Sequence, residues 1–218
     1  KVVLISGAGG NLGSAVLKRL NREGVKLAII DRDEKAARGR LQADDIDERN
    51  VMIGVVDLLK RQEVEAFVHR VTQCVGGINI VLNIAGGYKP QPPVHEMTDD
   101  LFDFLLNLNL KTTFNLSSIA AKQMVGSNRG GRIINVAARA ALKGDPGNAA
   151  YSASKAAVIR LTESMAAELL DKNITVNAVL PSVLDTPPNR ASSPNEDYSR
   201  WVSVESLADV IAFLASDS

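Results

Sequence analysis

Six short apolar runs punctuate the chain: VVLIS (Val2–Ser6), VKLAII (Val25–Ile30), VMIGVV (Val51–Val56), INIVLNIA (Ile78–Ala85), RIINVA (Arg132–Ala137) and ITVNAVL (Ile174–Leu180). Each is rich in Val and Ile, the pattern of strands buried on both faces of a parallel sheet. Between them lie segments with apolar residues at helical spacing, such as NLGSAVLKRLNREG, LLKRQEVEAFVHRVTQCVGG and AAYSASKAAVIRLTESMAAELLDKN. Strand and helix in repeated alternation predict right-handed crossovers and an α/β fold, a single doubly wound parallel sheet. Residues 1–218 read as one domain without an internal boundary or repeat. Pro181–Arg200 holds four of the eight prolines. It reads as a loop region over the C-terminal strand ends, where such sheets bind ligands.

Composition narrows the partners. At 218 residues the chain can bury a substantial core, and 45% apolar content is ordinary for a globular protein. Net charge is zero and Lys and Arg are scattered, which argues against nucleic acid. No apolar run reaches the roughly 20 residues of a membrane span, and no signal peptide is visible. The cytoplasm is the default compartment. The single cysteine, Cys74, cannot form an intrachain disulfide and is expected to be a buried, reduced thiol. His69, on a predicted outer helix, and His95, in a loop, have no partners at metal spacing, so no metal is expected.

Chemistry-bearing residues concentrate at strand ends. SGAGGNLG, Ser6–Gly13, joins the first strand to the first helix, where a Gly-rich turn lets backbone approach a pyrophosphate. The same turn also arises where strand and helix only pack closely. Asp31 ends the second strand. A carboxylate there binds both adenosine ribose hydroxyls and repels a 2′-phosphate, favouring NAD(H) over NADP(H). The alternative is a cap on the next helix, and Arg32 is a counter-signal because arginine binds 2′-phosphates. Asp57 ends the third strand, at the adenine edge or as a helix cap. Tyr151 and Lys155 share a helix face at i and i+4. An ammonium beside a phenol is expected to lower its pKa from about 10 and make it a usable acid. A chance pairing on an amphipathic helix is the bland alternative.

Taken in order, these motifs resemble the short-chain dehydrogenase/reductases over nearly the whole chain. SGAGGNLG is similar to that family's T-G-x-x-x-G-x-G, with Ser6 for Thr and Asn11 for the middle Gly. Asn83-Ile84-Ala85-Gly86 is similar to N-N-A-G, Tyr151–Lys155 matches Y-x-x-x-K, and Pro181–Thr186 resembles P-G-x-x-x-T. The resemblance implies a Rossmann fold of strand order 3-2-1-4-5-6 and hydride transfer between NAD(H) and a small organic substrate. It makes Tyr151 the proton donor or acceptor, Lys155 its helper and Asn109 the residue that orders the proton relay. It implies cofactor contacts at Ser6, Gly7, Asn11, Leu12, Gly13, Asp31, Arg32, Asp57, Leu58, Asn83, Ala85, Gly86, Tyr151, Lys155, Pro181, Val183 and Thr186, and places Tyr88 and Ala138 in the substrate cleft. A homodimer or homotetramer built on the helices Leu101–Val125 and Ala149–Leu170 is also implied. Relatives usually add a seventh strand, missing from these 218 residues.

The family's catalytic serine position is Ala138. Its loss favours a conjugated, pterin-like or imine-like acceptor. The alternatives are an ordinary carbonyl or alcohol, or a dinucleotide-binding sensor without turnover. AALKGDPG before Tyr151, AVLPSVLDTPPNR after the sixth strand, and Trp201 are similar to the dihydropteridine reductase subgroup, which also lacks the serine and uses NADH on a quinonoid dihydropterin.

Overall fold

The computed structural model describes residues 1–217. Six strands form one parallel sheet: β1 (Val2–Ser6), β2 (Lys26–Asp31), β3 (Val51–Val55), β4 (Ile80–Asn83), β5 (Gly131–Val136) and β6 (Ile174–Val179). Their order is β3-β2-β1-β4-β5-β6, with every adjacent pair parallel. This is a doubly wound Rossmann-like α/β fold. All six apolar runs became strands, trimmed or shifted by a residue or two.

Helices cover both faces. On one side α1 (Asn11–Asn21), α2 (Glu34–Ala43) and α8 (Val204–Leu214) pack Leu17, Leu20, Leu41 and Ile211 against Val3, Ile5 and Ile29. On the other, α3 (Arg61–Val75), α5 (Thr112–Ser127) and α6 (Ala149–Leu169) pack Phe67, Leu116 and Met165 against Leu4, Ala28 and Ile133. Alternate residues of β1 thus enter opposite cores, as a strand's period of two requires.

Three expectations change. Pro181–Arg200 is not a plain loop. It holds β7 (Leu184–Asp185) and α7 (Pro187–Ser192), and β7 pairs with β8 (Val202–Ser203). Pro187 and Pro188 stand in the first turn of α7, where a missing N–H costs nothing. The long helix expected over Leu101–Val125 is α4 (Asp99–Leu106), a π turn at Asn107–Lys111, and α5. Finally, Cys74 is exposed. It lies on α3 outside the apolar stripe formed by Val64, Phe67, Val68 and Val71.

A buried polar row crosses the sheet between β4 and β5. Asn83 Nδ2 donates to Ser117 Oγ and to Asn135 Oδ1, both at 2.8 Å. Asn135 Nδ2 donates to Thr162 Oγ1 at 2.8 Å, which donates on to the Val158 carbonyl.

Candidate active site

A cleft of about 1670 Å³ runs along the C-terminal strand ends. Small-molecule pockets span roughly 300–1000 Å³, so this one has room for a large cofactor and a second molecule. At its nucleotide end lie Gly7, Asn11, Leu12, Gly13, Asp31, Arg32, Asp57 and Leu58. The turn is drawn tight by backbone bonds from Gly7 N to the Ile30 carbonyl and from Gly10 N to the Gly7 carbonyl. Gly7 has φ +73, and a Cβ there would lie 2.6 Å from Ala85 N. A Cβ on Gly13 would meet the Gly7 carbonyl at 2.2 Å. These glycines keep a cradle of backbone free of side chains, which fits a pyrophosphate at a helix N-terminus.

Asp31 is not the cap of α2. That role belongs to Asp33, whose carboxylate accepts from Lys35 N and Ala36 N. Asp31 instead accepts from Arg32 N at 2.7 Å, Asp33 N at 3.2 Å and Gly9 N at 3.3 Å. Its carboxylate is thereby fixed over the Gly-rich turn. The Arg32 side chain is exposed and has no partner among the described residues. Asp57 likewise does not cap α3, whose N-cap is Lys60. It accepts from Leu59 N at 3.0 Å while its own amide donates to Glu63. The Leu58 carbonyl is bonded by Asn115.

At the chemical end the cleft is lined by Ala85, Gly86, Tyr88, Ala138, Tyr151, Lys155, Pro181, Val183 and Thr186. The π turn faces the buried Asn109 inward. Its Oδ1 accepts from Gly87 N at 2.9 Å, and its Nδ2 donates to the Gly87 carbonyl and Ser154 Oγ, both at 3.1 Å. One side chain so joins the loop after β4 to the middle of the Tyr151–Lys155 turn. A Cβ on Gly86 would fall 2.8 Å from Asn109 Oδ1 and 3.2 Å from Lys155 Nζ. Only glycine leaves that gap between amide and amine.

Lys155 is 5% exposed and donates to the Val136 carbonyl at 2.8 Å. Burial lowers its pKa from 10.5 to about 8. Tyr151 departs from expectation. Its pKa is raised from the ordinary 10, first by burial and then by Tyr88. The Tyr88 ring stands perpendicular to that of Tyr151, with centroids 5.3 Å apart.

Residues 1–197 match the family described as short chain dehydrogenase. The chain belongs to the short-chain dehydrogenases. It is 32% identical to the 3-oxoacyl-[acyl-carrier-protein] reductase FabG of Thermotoga maritima, covering all of this chain and 91% of that one. The solved structure of an NAD⁺-bound xylitol dehydrogenase superposes with TM-score 0.88 and 30% identity, over all of this chain and 92% of that one. ElxO with NADP bound shares the fold at TM-score 0.93 and 24% identity, over the same shares of the two chains. The protein is thus an NAD(P)-dependent oxidoreductase of this family.

Within this short-chain dehydrogenase, three residues assigned to the site lie behind the cleft. Ser6 is buried, with its hydroxyl donating to the Leu82 carbonyl and accepting from Ala85 N. Asn83 belongs to the buried polar row, and Asn109 acts on Gly87 and Ser154. Thr186 lines the cleft, but its hydroxyl caps α7 by accepting from Asn189 N at 3.4 Å. The sequence reading missed Gln91. Its Oε1 accepts from Ala150 N at 2.9 Å and Tyr151 N at 3.2 Å, capping α6 in place of Asn148. Nothing in a sequence relates a loop glutamine to a helix start so far away. Among the described residues, no group of three His, Cys, Asp or Glu could hold a metal, and no helix is long and apolar enough to cross a membrane.

Proposed function

We propose that this chain is an NADH-dependent reductase of small conjugated acceptors, pterin-like or imine-like, with Tyr151 as proton donor. The observation that carries the reading is Ala138. It is 6% exposed and lines the cleft with a methyl group where the family resemblance expects a hydroxyl. Bound along the cleft, the dinucleotide supplies the hydride. Tyr151 supplies the proton, and its raised pKa keeps that proton in place at neutral pH. Lys155 contributes the positive charge that favours the phenolate left behind. Asn109 and Gly86 fix the spacing between the loop and Lys155. Tyr88 meets the substrate.

The fixed carboxylate of Asp31 supports NADH over NADPH, since a 2′-phosphate there meets like charge. Homodimers or homotetramers formed through α4–α5 and α6 complete the proposal. A second reading, reduction of an ordinary carbonyl, is favoured by the names of the 3-oxoacyl reductase and xylitol dehydrogenase relatives. An NADH-oxidation screen across ketones, quinones and a quinonoid dihydropterin separates the two. Turnover confined to simple ketones overturns the conjugated-acceptor reading, and turnover of none of them favours a non-catalytic dinucleotide binder.

A further inference from the structure

The three tyrosines of the chain differ in what their hydroxyls meet. Tyr198 Oη donates to the Ser193 carbonyl at 3.1 Å, with the Arg190 carbonyl at 3.3 Å. The Tyr88 and Tyr151 hydroxyls have no hydrogen-bond partner among the described residues. Both line the cleft and their rings touch edge to face. Tyr88 is 55% exposed, yet its loop is not loose. The preceding Gly87 is bonded through both amide and carbonyl to Asn109. A ligand filling the cleft removes water from both phenols. A phenol stripped of water costs free energy unless it finds an acceptor. For Tyr151 that acceptor is the atom it protonates. For Tyr88 the protein offers none, so the ligand must.

We propose that the Tyr88 hydroxyl is a second hydrogen-bond donor to the substrate, at a heteroatom other than the one Tyr151 protonates; this rests on the reading of Tyr151 as the proton donor. The substrate class it selects is a conjugated ring carrying two heteroatoms in one π system. Such an acceptor takes a hydride from the reduced nicotinamide and a proton from Tyr151, which solvent later reprotonates. The charge that arrives with the hydride spreads to the second heteroatom, where the Tyr88 hydrogen bond stabilises it without giving up its proton. Ala138 is then no defect, because the second donor approaches from the loop after β4 instead of the end of β5.

The test compares Tyr88→Phe, Tyr88→Phe with Ala138→Ser, and Tyr151→Phe in reduction of a quinonoid dihydropterin, with NADH affinity measured by fluorescence titration. Phenylalanine keeps the ring and its packing on Tyr151 and removes only the hydroxyl. The expected result is a fall in kcat/KM of roughly 10- to 100-fold, the size of a hydrogen bond to a charged group. NADH affinity should be unchanged, and serine at 138 should not restore the rate. Unaltered kinetics in Tyr88→Phe beside an inactive Tyr151→Phe overturn this inference alone, leaving Tyr88 a stacking surface. Recovery through Ala138→Ser also overturns it, because the two hydroxyls then serve one atom. Full activity in Tyr151→Phe, or no turnover of the dihydropterin, removes the proposed function and this inference together.

Discussion

Lys155 Nζ donates to the Val136 carbonyl at 2.8 Å, so the amine four residues after Tyr151 is tethered to the last residue of β5. With the Asn135–Thr162 hydrogen bond, it is one of two polar links between α6 and β5 among the described residues. Burial of that ammonium has a cost that depends on pH.

The folded pKa of Lys155, about 8, lies below the ordinary 10.5. Between those values the unfolded chain binds the extra proton, so stability rises with pH across that window. Below pH 8 the penalty of the buried ammonium is present in full. The displacement corresponds to about 3 kcal/mol. The unfolding free energy of the unmutated protein minus that of Lys155→Met should therefore climb from pH 7.5 to 10.5, by urea titration. A flat difference would show that the amine is well solvated.

Asp31 should set cofactor choice. NADH should bind at least about tenfold tighter than NADPH, a difference of about 1.4 kcal/mol, and Asp31→Ala should narrow the gap by freeing the Gly9 and Arg32 amides and leaving the Arg32 guanidinium unopposed. Fluorescence titration reads both affinities. Equal binding of the two cofactors by the unmutated protein would sink the assignment.

Tyr151→Phe should slow turnover of a conjugated acceptor by roughly 100-fold or more, within the range of general acid catalysis. Ala138→Ser should leave that turnover within a few-fold and raise activity toward simple ketones, where one oxyanion-hole donor is worth on the order of 100-fold or more. Steady-state kinetics on both substrate types decide it. A serine variant no better on ketones than the parent would contradict the role given to Ala138.

Gly86→Ala should cost more activity than stability. The added methyl would sit 2.8 Å from Asn109 Oδ1 and 3.2 Å from Lys155 Nζ, pushing apart the groups that order the proton relay. Overpacking of this kind costs about 1–3 kcal/mol. Expected is a folded protein with a lowered melting temperature and little residual turnover. Parental kcat would mean that the spacing is irrelevant.

Phe102 on α4 and Phe114 on α5 are large exposed apolar groups, with Lys111 and Arg61 lying over the Phe114 ring. Covered by a second copy, these faces predict at least a dimer. Light scattering at micromolar concentration should return a multiple of 23.3 kDa, and a monomeric mass refutes it.

Much of this was legible in the chain. The six Val- and Ile-rich runs sit in both cores, so burial alone wrote them into the sequence. The glycines of the first turn and the Tyr151–Lys155 spacing were equally visible, because they answer to local backbone and helix geometry. What escaped depended on partners distant in sequence. The capping by Gln91, the polar row through Asn83 and the inward turn of Asn109 each require the assembled sheet. Cys74 misled because a lone thiol is usually buried, and here it falls off the apolar stripe of α3. The Tyr151 phenol was expected to shift down and shifts up instead, because its burial and the neighbouring Tyr88 ring exist only in the assembled cleft.

The short pairing of Leu184 with Val202 and Asp185 with Ser203 makes the chain leave and return at one place. Everything between, α7 and the Tyr198–Trp201 aromatic pair included, is a cassette closed by its own clasp. Exchange of that cassette for one of another length would leave the strand ends and the nucleotide turn where they are. Thr186, Pro188, Asn189 and Trp201 of that cassette line the cleft, so its exchange would rebuild one wall of the cleft and leave the opposite wall unaltered in sequence.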